Sequence, residues 1–257
     1  MELILGITIP LDATALAFAL AVGFIAGLVK GVVGFGMPMI LISGLSSVVS
    51  PELALAGLIL PTLATNGIQA LRQGWSAAWA STRRFQLFLI AGFISLMIAA
   101  QFVRVLPQSV MFLIIGTPII VFVVVQLTGR ELRLPAASQR IEVGVGLFAG
   151  FMGGLSGIWG PPTVAYLTAT NTPKADQMRV QGVIYGLGAV ALTFAHIQSG
   201  VFRWETAPLS VVMIFPSLIG MAIGDAVQSR IDQVMFRKAT LWVLLIVGLN
   251  LVRRGFL

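Results

Sequence analysis

The fold is decided by two glycine-rich stretches, GFIAGLVKGVVGFGMP at Gly23–Pro38 and GLFAGFMGGLSGIWGP at Gly146–Pro161. Aligned at a shift of 123 residues, they agree at Gly23/Gly146, Ala26/Ala149, Gly27/Gly150, Gly31/Gly154, Gly34/Gly157 and Pro38/Pro161. Each stretch ends a long apolar run and precedes a short one. This shared order predicts two homologous halves, with residues 1–130 as the first transmembrane repeat and 131–257 as the second.

Composition places the chain in a membrane. Of its 257 residues, 58% are hydrophobic and 10% are charged, with a mean hydropathy of +0.99. Soluble domains are about 25% charged, and no polar stretch here exceeds a short loop, so a soluble enzyme is excluded. The 16 Lys and Arg residues lie mostly in short loops between apolar runs. That placement is typical of a membrane protein and argues against nucleic-acid binding.

Apolar runs bounded by charges, Pro or Gly predict an all-α polytopic fold. The predicted segments are Thr14–Val33, Met39–Val49, Pro51–Leu71, Phe85–Val103, Ser109–Leu127, Ile141–Met152, Thr163–Thr170, Ala175–Ile197, Thr206–Val227 and Val234–Val252. The connector Thr128–Arg140 separates the two halves. Each half therefore contains a helix interrupted by Gly and Pro and further helices long enough to cross a bilayer.

Two topologies fit these segments. If each Gly/Pro segment lies inside one broken helix, the chain crosses the membrane eight times. Nine of the loop Lys and Arg residues then lie on one side of the membrane and six on the other. If each segment is the tip of a re-entrant hairpin, each half has three full spans, the halves are inverted, and the division is eleven to four. The positive-inside rule favours the inverted arrangement, with both termini outside.

The Gly/Pro segments predict a substrate site. Backbone leaves helical geometry at membrane depth only where it is buried in protein or lines a watery cavity, and matching breaks in two halves indicate a transporter's binding site. Helix N-termini exposed there would attract an anion. The predicted binding residues are Lys30, Gly31, Gly34, Phe35, Gly36, Pro38, Asn66, Gln69, Gly154, Ser156, Gly157, Trp159, Gly160, Pro161, Gln181 and Tyr185. Alternatively, the glycines serve only close helix packing.

Several polar residues inside the apolar runs have two interpretations each. Lys30 adjoins the first break and is either an anion contact or a residue that snorkels to the interface. The uncharged donors among the predicted binding residues, such as Asn66, Gln69 and Gln181, either replace the hydration shell of an oxyanion or form hydrogen bonds between helices. Asp225 and His196 are candidates for proton coupling. Their alternatives are an interfacial ion pair near Arg230 and an interfacial histidine.

The same segments carry a family resemblance. The residues GLVKGVVGFGMPM (Gly27–Met39), GFMGGLSGIWGPP (Gly150–Pro162) and the ending at Ser217–Leu251 resemble the TauE/SafE family of sulfite exporters, also called TSUP. The resemblance covers essentially the whole chain. It implies a bacterial inner-membrane secondary carrier for small, often sulfur-containing anions such as sulfite, thiosulfate or organosulfonates.

We therefore expect a multi-pass inner-membrane transporter that binds its anion between the two repeats at the broken-helix ends. An anion channel of the same architecture and a membrane scaffold without transport are the alternatives. There is no Cys, one His and no nucleotide-binding motif, so the expectation is a non-enzyme with neither metal nor cofactor. Its expected partners are a small anionic substrate and the lipid bilayer, with a homodimer left open.

Overall fold

The computed structural model describes residues 2–4, 7–9, 11–100, 107–128, 138–156, 159–198 and 200–256. They separate into two compact units, each discontinuous in sequence. The first unit comprises Met1–Gln73 and Gly182–Ile231, and the second comprises Gly74–Gln181 and Asp232–Leu257. Each unit thus combines segments from both predicted repeats, whose boundary between residues 130 and 131 stays a prediction.

The described elements follow one another in this order: β1 (Glu2–Ile4), β2 (Ile7–Ile9), α1 (Ala13–Val33), α2 (Met37–Leu45), α3 (Pro51–Leu71), α4 (Trp75–Arg84), α5 (Gln86–Ala100), α6 (Gln108–Leu127), α7 (Gln139–Ser156), α8 (Gly160–Ala169), α9 (Lys174–Gln198), α10 (Ala207–Arg230) and α11 (Gln233–Phe256). The strands pair antiparallel, with Glu2 opposite Ile9. Apart from this short hairpin, the described chain is helical, which confirms the all-α polytopic class.

Five helices are long and apolar enough to cross a membrane, namely α1, α3, α9, α10 and α11. A sixth candidate is α4 with α5, a pair bent by 70° at the single residue between them. This count covers only the residues that the structure describes. Two points stay predictions. One is whether the two halves are inverted in the membrane, and the other is whether the chain crosses eight times or six times with two re-entrant hairpins.

Glycines bring α1 and α10 of the first unit into backbone contact. A Cβ at Gly31 would lie 2.8 Å from the Cα of Gly224, and one at Gly220 would lie 2.8 Å from the backbone N of Leu28. Gly23, Gly27 and Gly31 follow one another at four-residue spacing, so they line one face of α1. These three glycines therefore pack against α10, as expected for small residues between membrane helices, and the prediction that Gly31 contacts substrate stays a prediction.

Ser210 of α10 compensates for a proline inside α3. Pro61 has no N–H and cannot donate to the carbonyl of Gly57, four residues earlier. The hydroxyl of Ser210 donates to that carbonyl at 3.4 Å and accepts the backbone N–H of Leu60 at 3.0 Å. Because lipid offers no hydrogen bonds, this buried hydroxyl allows α3 to keep a proline at membrane depth.

In the second unit, α5 and α7 pack through glycines in the same manner. A Cβ at Gly150 would lie 2.7 Å from the Cα of Gly92, and one at Gly146 would lie 2.9 Å from the Cα of Phe88. The side chain of Glu142 begins this contact, since it accepts the Phe88 backbone N–H at 3.4 Å and pairs with Arg84 at 2.9 Å. Helices α6 and α11 form the other close pair of this unit.

The helix pairs of the two units correspond through the predicted repeat. Shifted by 123 residues, α1 falls on α7, and shifted by 126, α5 falls within α10. The pair α1–α10 of one unit thus has its counterpart in α7–α5 of the other. Gly74 and Gly200, equivalent at the second shift, both have positive φ, at 87° and 73°. These correspondences are consistent with an internal repeat.

The sequence-based segments match most helices closely, and Pro51–Leu71 is found with the same bounds. The main difference is α4, because the sequence predicts no helical segment between Leu71 and Phe85. Its ten residues combine Trp and Ala with polar Ser, Thr and Arg, and Trp75 and Trp79 are exposed. Such a helix is too short and too polar to register as a membrane span.

Candidate functional site

The first break is narrower than the sequence predicted. Helix α1 continues to Val33, so Gly31 is helical, and the expectation that it belongs to the break is wrong. Gly34 and Gly36 have φ of 85° and 89°, a left-handed conformation that glycine adopts without steric cost. The N–H of Gly34 donates to the carbonyl of Lys30 at 2.6 Å, which ends α1. Pro38 lies in the first turn of α2, a position that tolerates proline.

Side chains of α3 hold this break in place. Nε2 of Gln69 donates to the carbonyl of Gly34 at 3.1 Å, and the hydroxyl of Thr65 lies 3.3 Å from the sulfur of Met37. Phe35, between the two glycines, is buried. The break is therefore enclosed by protein, which is the condition for non-helical backbone at membrane depth.

Lys30 lies one turn before the break and is only 2% exposed. Its ammonium donates a hydrogen bond to Oδ1 of Asn66, which is also buried. An ammonium has three N–H donors, and this is its one hydrogen bond within the described residues. The structure thus brings Lys30, Asn66, Gln69 and Gly34 together, and the snorkelling interpretation of Lys30 is not supported by its burial.

A carboxylate adjoins this group. The backbone of Asp225 on α10 packs against Gly31, whose added Cβ would lie 2.8 Å from the Asp225 N, and its carboxylate interacts electrostatically with Lys30. Oδ1 of Asp225 also pairs with Nη1 of Arg72 at 2.7 Å. The predicted ion pair is therefore present, but its partner is Arg72 at the end of α3 and not Arg230.

Helix α3 presents its polar side chains along one face. Thr62, Asn66 and Gln69 are buried and lie four and three residues apart, so they share a face. The hydroxyl of Thr62 has no hydrogen-bond partner within the described part of the chain. Sequence reasoning missed Thr62 and Arg72, although helical spacing could have indicated both, since Thr62 lies four residues before Asn66 and Arg72 lies three residues after Gln69. We refer to Lys30, Thr62, Asn66, Gln69, Arg72 and Asp225 as the first-break cluster.

Part of α9 packs against the same region of α3. A Cβ at Gly182 would lie 2.9 Å from the Cα of Ala70, and Gly186 lies next to Asn66. Tyr185 is buried in this stretch, and Gln181, which belongs to the second unit, is buried one turn earlier. His196 lies about 21 Å further along α9 than Gly182, at 1.5 Å per residue. The structure therefore does not bring His196 to the first-break cluster.

The second break is described only in part. Only the backbone of Gly154 and Ser156 is described, as part of α7, and Gly157 lies outside the described residues. Gly160 begins α8 and Pro161 follows in its first turn. Trp159 caps this helix and packs on Gly153, where a Cβ would lie 2.7 Å from its ring. The prediction that Gly154, Ser156, Gly157, Trp159, Gly160 and Pro161 bind substrate stays a prediction.

The cluster offers donors to an anion but few ligands to a metal. Its one carboxylate, Asp225, is already paired with Arg72. Within the part of the chain that the structure describes, no group of three His, Cys, Asp or Glu side chains comes together. Ammonium, hydroxyl and amide groups around uncapped backbone are instead the donors that an oxyanion accepts.

Comparison with known proteins assigns the chain to a family. Residues 19–251 match the family model described as "Sulfite exporter TauE/SafE". No curated protein and no solved structure matches the sequence. The matched region runs from the second turn of α1 into the last two turns of α11, and so includes both breaks and the first-break cluster. The chain belongs to the TauE/SafE family of sulfite exporters, membrane transporters rather than enzymes.

Proposed function

We propose that this protein is a secondary transporter of small sulfur-containing anions, such as sulfite, thiosulfate or an organosulfonate, in the bacterial inner membrane. The anion binds at the first-break cluster. The observation that supports this most directly is the burial of Lys30 beside interrupted helix, with one neutral hydrogen-bond acceptor, Asn66. A buried ammonium is costly unless a counter-charge satisfies it, and a substrate anion supplies that charge.

The charge of the cluster favours an anion. Lys30 and Arg72 contribute two positive charges and Asp225 contributes one negative charge, so the ionised cluster has a net charge of +1. Arg72 and Asp225 already satisfy each other at 2.7 Å. The excess positive charge therefore resides at Lys30, next to the break.

Neutral donors complete the site. The first turn of α2 has no side-chain cap, and the leading N–H groups of a helix have no partner within the helix. The unpartnered hydroxyl of Thr62 lies on the same face of α3 as Asn66. Together with Lys30, these groups can replace the hydration shell of an oxyanion.

Coupling is best assigned to Asp225. It is the acidic member of the cluster and interacts with both Lys30 and Arg72. Protonation of Asp225 would release Arg72 and change the charge that an anion meets. His196 lies along α9 at a distance from the cluster, and a coupling role for it has no support from its position. Two further hypotheses rest on the sequence alone: that the second break also contributes to the substrate site, and that the protein forms a homodimer.

The test is counterflow in proteoliposomes with ³⁵S-labelled sulfite and thiosulfate. We expect saturable exchange by the wild type and its loss in Lys30→Met. Lys238→Met is the matched control, because Lys238 is exposed on α11 of the other unit. Flux that stays linear in concentration would favour the channel, and absence of flux and binding with every anion tried would favour the scaffold. Full activity of Lys30→Met would remove Lys30 from the site.

A further inference from the structure

A cavity of about 370 Å³ lies within the second unit, whereas every residue of the first-break cluster belongs to the first unit. Its wall is formed by the end of α4, the end of α8 with the turn that follows, and the start of α9. Arg84 and Arg179 both line it, together with Ser81, Tyr166 and Asn171. Pockets that bind small organic molecules measure about 300–1,000 Å³, so the volume suits such a ligand.

Both guanidinium groups are held in fixed positions. Nε of Arg179 donates to the hydroxyl of Ser81 at 2.7 Å, and Nη2 pairs with Asp176 at 2.8 Å. Arg84 pairs with Glu142 at 2.9 Å and lies over the ring of Phe85, 5.1 Å from its centroid. A guanidinium that is already oriented loses little side-chain entropy when it binds an anion.

The charged groups of the wall favour an anion. Arg84 and Arg179 face the cavity, and among the described residues that line it the one carboxylate is Asp176, whose side chain is 45% exposed. Glu142 is buried behind Arg84 and is not part of the wall. Arg179 also binds Ser81, a neutral partner, so its position does not depend on Asp176 alone.

Part of the remaining wall is apolar, although Thr170, Asn171 and Thr172 also line the cavity. Ala80, Phe85 and Val180 line the cavity beside the arginines. A bare inorganic oxyanion would leave these surfaces unoccupied, whereas an organic anion would place its charged head at the guanidinium groups and its short apolar part against these side chains. Burial of that part contributes about 0.8 kcal/mol per CH₂ in general.

We propose that this cavity is a binding site for a soluble organic anion with a charged head and a short apolar part. Binding here involves no residue of the first-break cluster, so the inference goes beyond the proposed function and does not depend on it. An anionic lipid also has a charged head and an apolar part, so the experiment must distinguish a soluble anion from a lipid.

The experiment is arginine labelling of the purified full-length protein with phenylglyoxal, read by mass spectrometry. Butanesulfonate at ten times its Kd leaves about one site in eleven empty, so labelling of Arg84 and Arg179 should slow about tenfold. Arg83 is the internal control, because it neighbours Arg84 on α4, is exposed and does not line the cavity. Sulfate at equal concentration should protect less, since it cannot use the apolar wall.

Variants of the protein and a change of lipid provide the controls for this labelling experiment. Ser81→Ala should weaken protection of Arg84 by butanesulfonate because Arg179 loses its neutral partner, whereas Arg83→Gln should not. Lys30→Met should keep the protection, which separates failure at the first-break cluster from failure here. Equal labelling with and without butanesulfonate would overturn the proposal. So would protection that requires phosphatidylglycerol nanodiscs and is absent in phosphatidylcholine, because the occupant would then be a lipid.

Discussion

Lys30 donates its buried hydrogen bond to Asn66, a neutral amide 36 residues further along the chain. A neutral acceptor satisfies one donor of the ammonium without cancelling its charge, whereas a carboxylate in the same place would do both. Three residues later on the same face of α3, Gln69 donates to the carbonyl of Gly34. One helix face therefore fixes the lysine and the break together and leaves the positive charge available to a ligand.

Substitution of Asn66 separates its two roles. Asn66→Ala should destabilise the protein by about 1–3 kcal/mol, because a buried donor loses its partner, and should lower anion affinity. Asn66→Asp should keep the hydrogen bond but abolish anion binding, because its carboxylate neutralises Lys30. Thermal unfolding and equilibrium binding of labelled sulfite, measured in detergent, check both effects. Unchanged binding in Asn66→Asp would show that Lys30 does not contact the anion.

Gly34 should not tolerate a side chain. Its φ of 85° is left-handed, where an L-residue costs about 1–2 kcal/mol, so Gly34→Ala should lower the unfolding midpoint and slow transport. Gly67→Ala is the control: Gly67 lies inside α3 with nothing within 4 Å of an added Cβ. That substitution should stabilise by about 0.5–1 kcal/mol. Equal stability changes at both positions would contradict the assigned role of the break.

Ser210→Ala should uncover the backbone groups near Pro61. The carbonyl of Gly57 would lose its hydroxyl donor and the N–H of Leu60 would lose its acceptor. We expect a loss of about 1–3 kcal/mol, the cost of an unsatisfied buried group. Ser229→Ala, at an exposed site on the same helix, should change stability by less than about 0.5 kcal/mol. A replacement of Pro61 by Ala should partly rescue Ser210→Ala in a double-mutant cycle.

Gly150→Leu should unfold the second unit. A side chain there would overlap the backbone of Gly92, so the expected cost exceeds about 4 kcal/mol, a size reserved for severe core disruption. Gly144→Leu on the same helix meets nothing within 4 Å and should be tolerated. Folded yield by size-exclusion chromatography distinguishes the two. A monodisperse Gly150→Leu protein would mean that α5 and α7 do not pack this closely.

Asp225→Asn should uncouple transport without stopping exchange. The variant cannot take up a proton and loses its charge interaction with Lys30 and Arg72. Counterflow should persist, whereas anion accumulation driven by an imposed pH gradient should disappear. Asp232→Asn, at an exposed site just after α10, serves as the control. Gradient-driven accumulation by Asp225→Asn at the wild-type rate would assign coupling to another group.

Much of this site could be predicted from the sequence, because polar residues inside apolar runs are costly and therefore informative. Lys30, Asn66 and Gln69 were identified in this way, and the structure brings them together. Arg72 lies just outside the predicted segment Pro51–Leu71, and its partner Asp225 lies 153 residues away. No local pattern links two residues so distant, so the ion pair required the packing of α3 against α10.

The glycines likewise separate what the sequence determines from what the tertiary structure decides. Hydropathy and the Gly/Pro spacing alone determined an all-α membrane protein, its helix bounds within a few residues and the presence of two interruptions, because these depend on local transfer energies and backbone freedom. Which glycines interrupt a helix and which let two helices touch was decided only by tertiary structure. Gly31 and Gly34 are alike in sequence, but Gly31 meets the backbone of α10 and stays helical, whereas Gly34 ends α1 with its carbonyl held by Gln69.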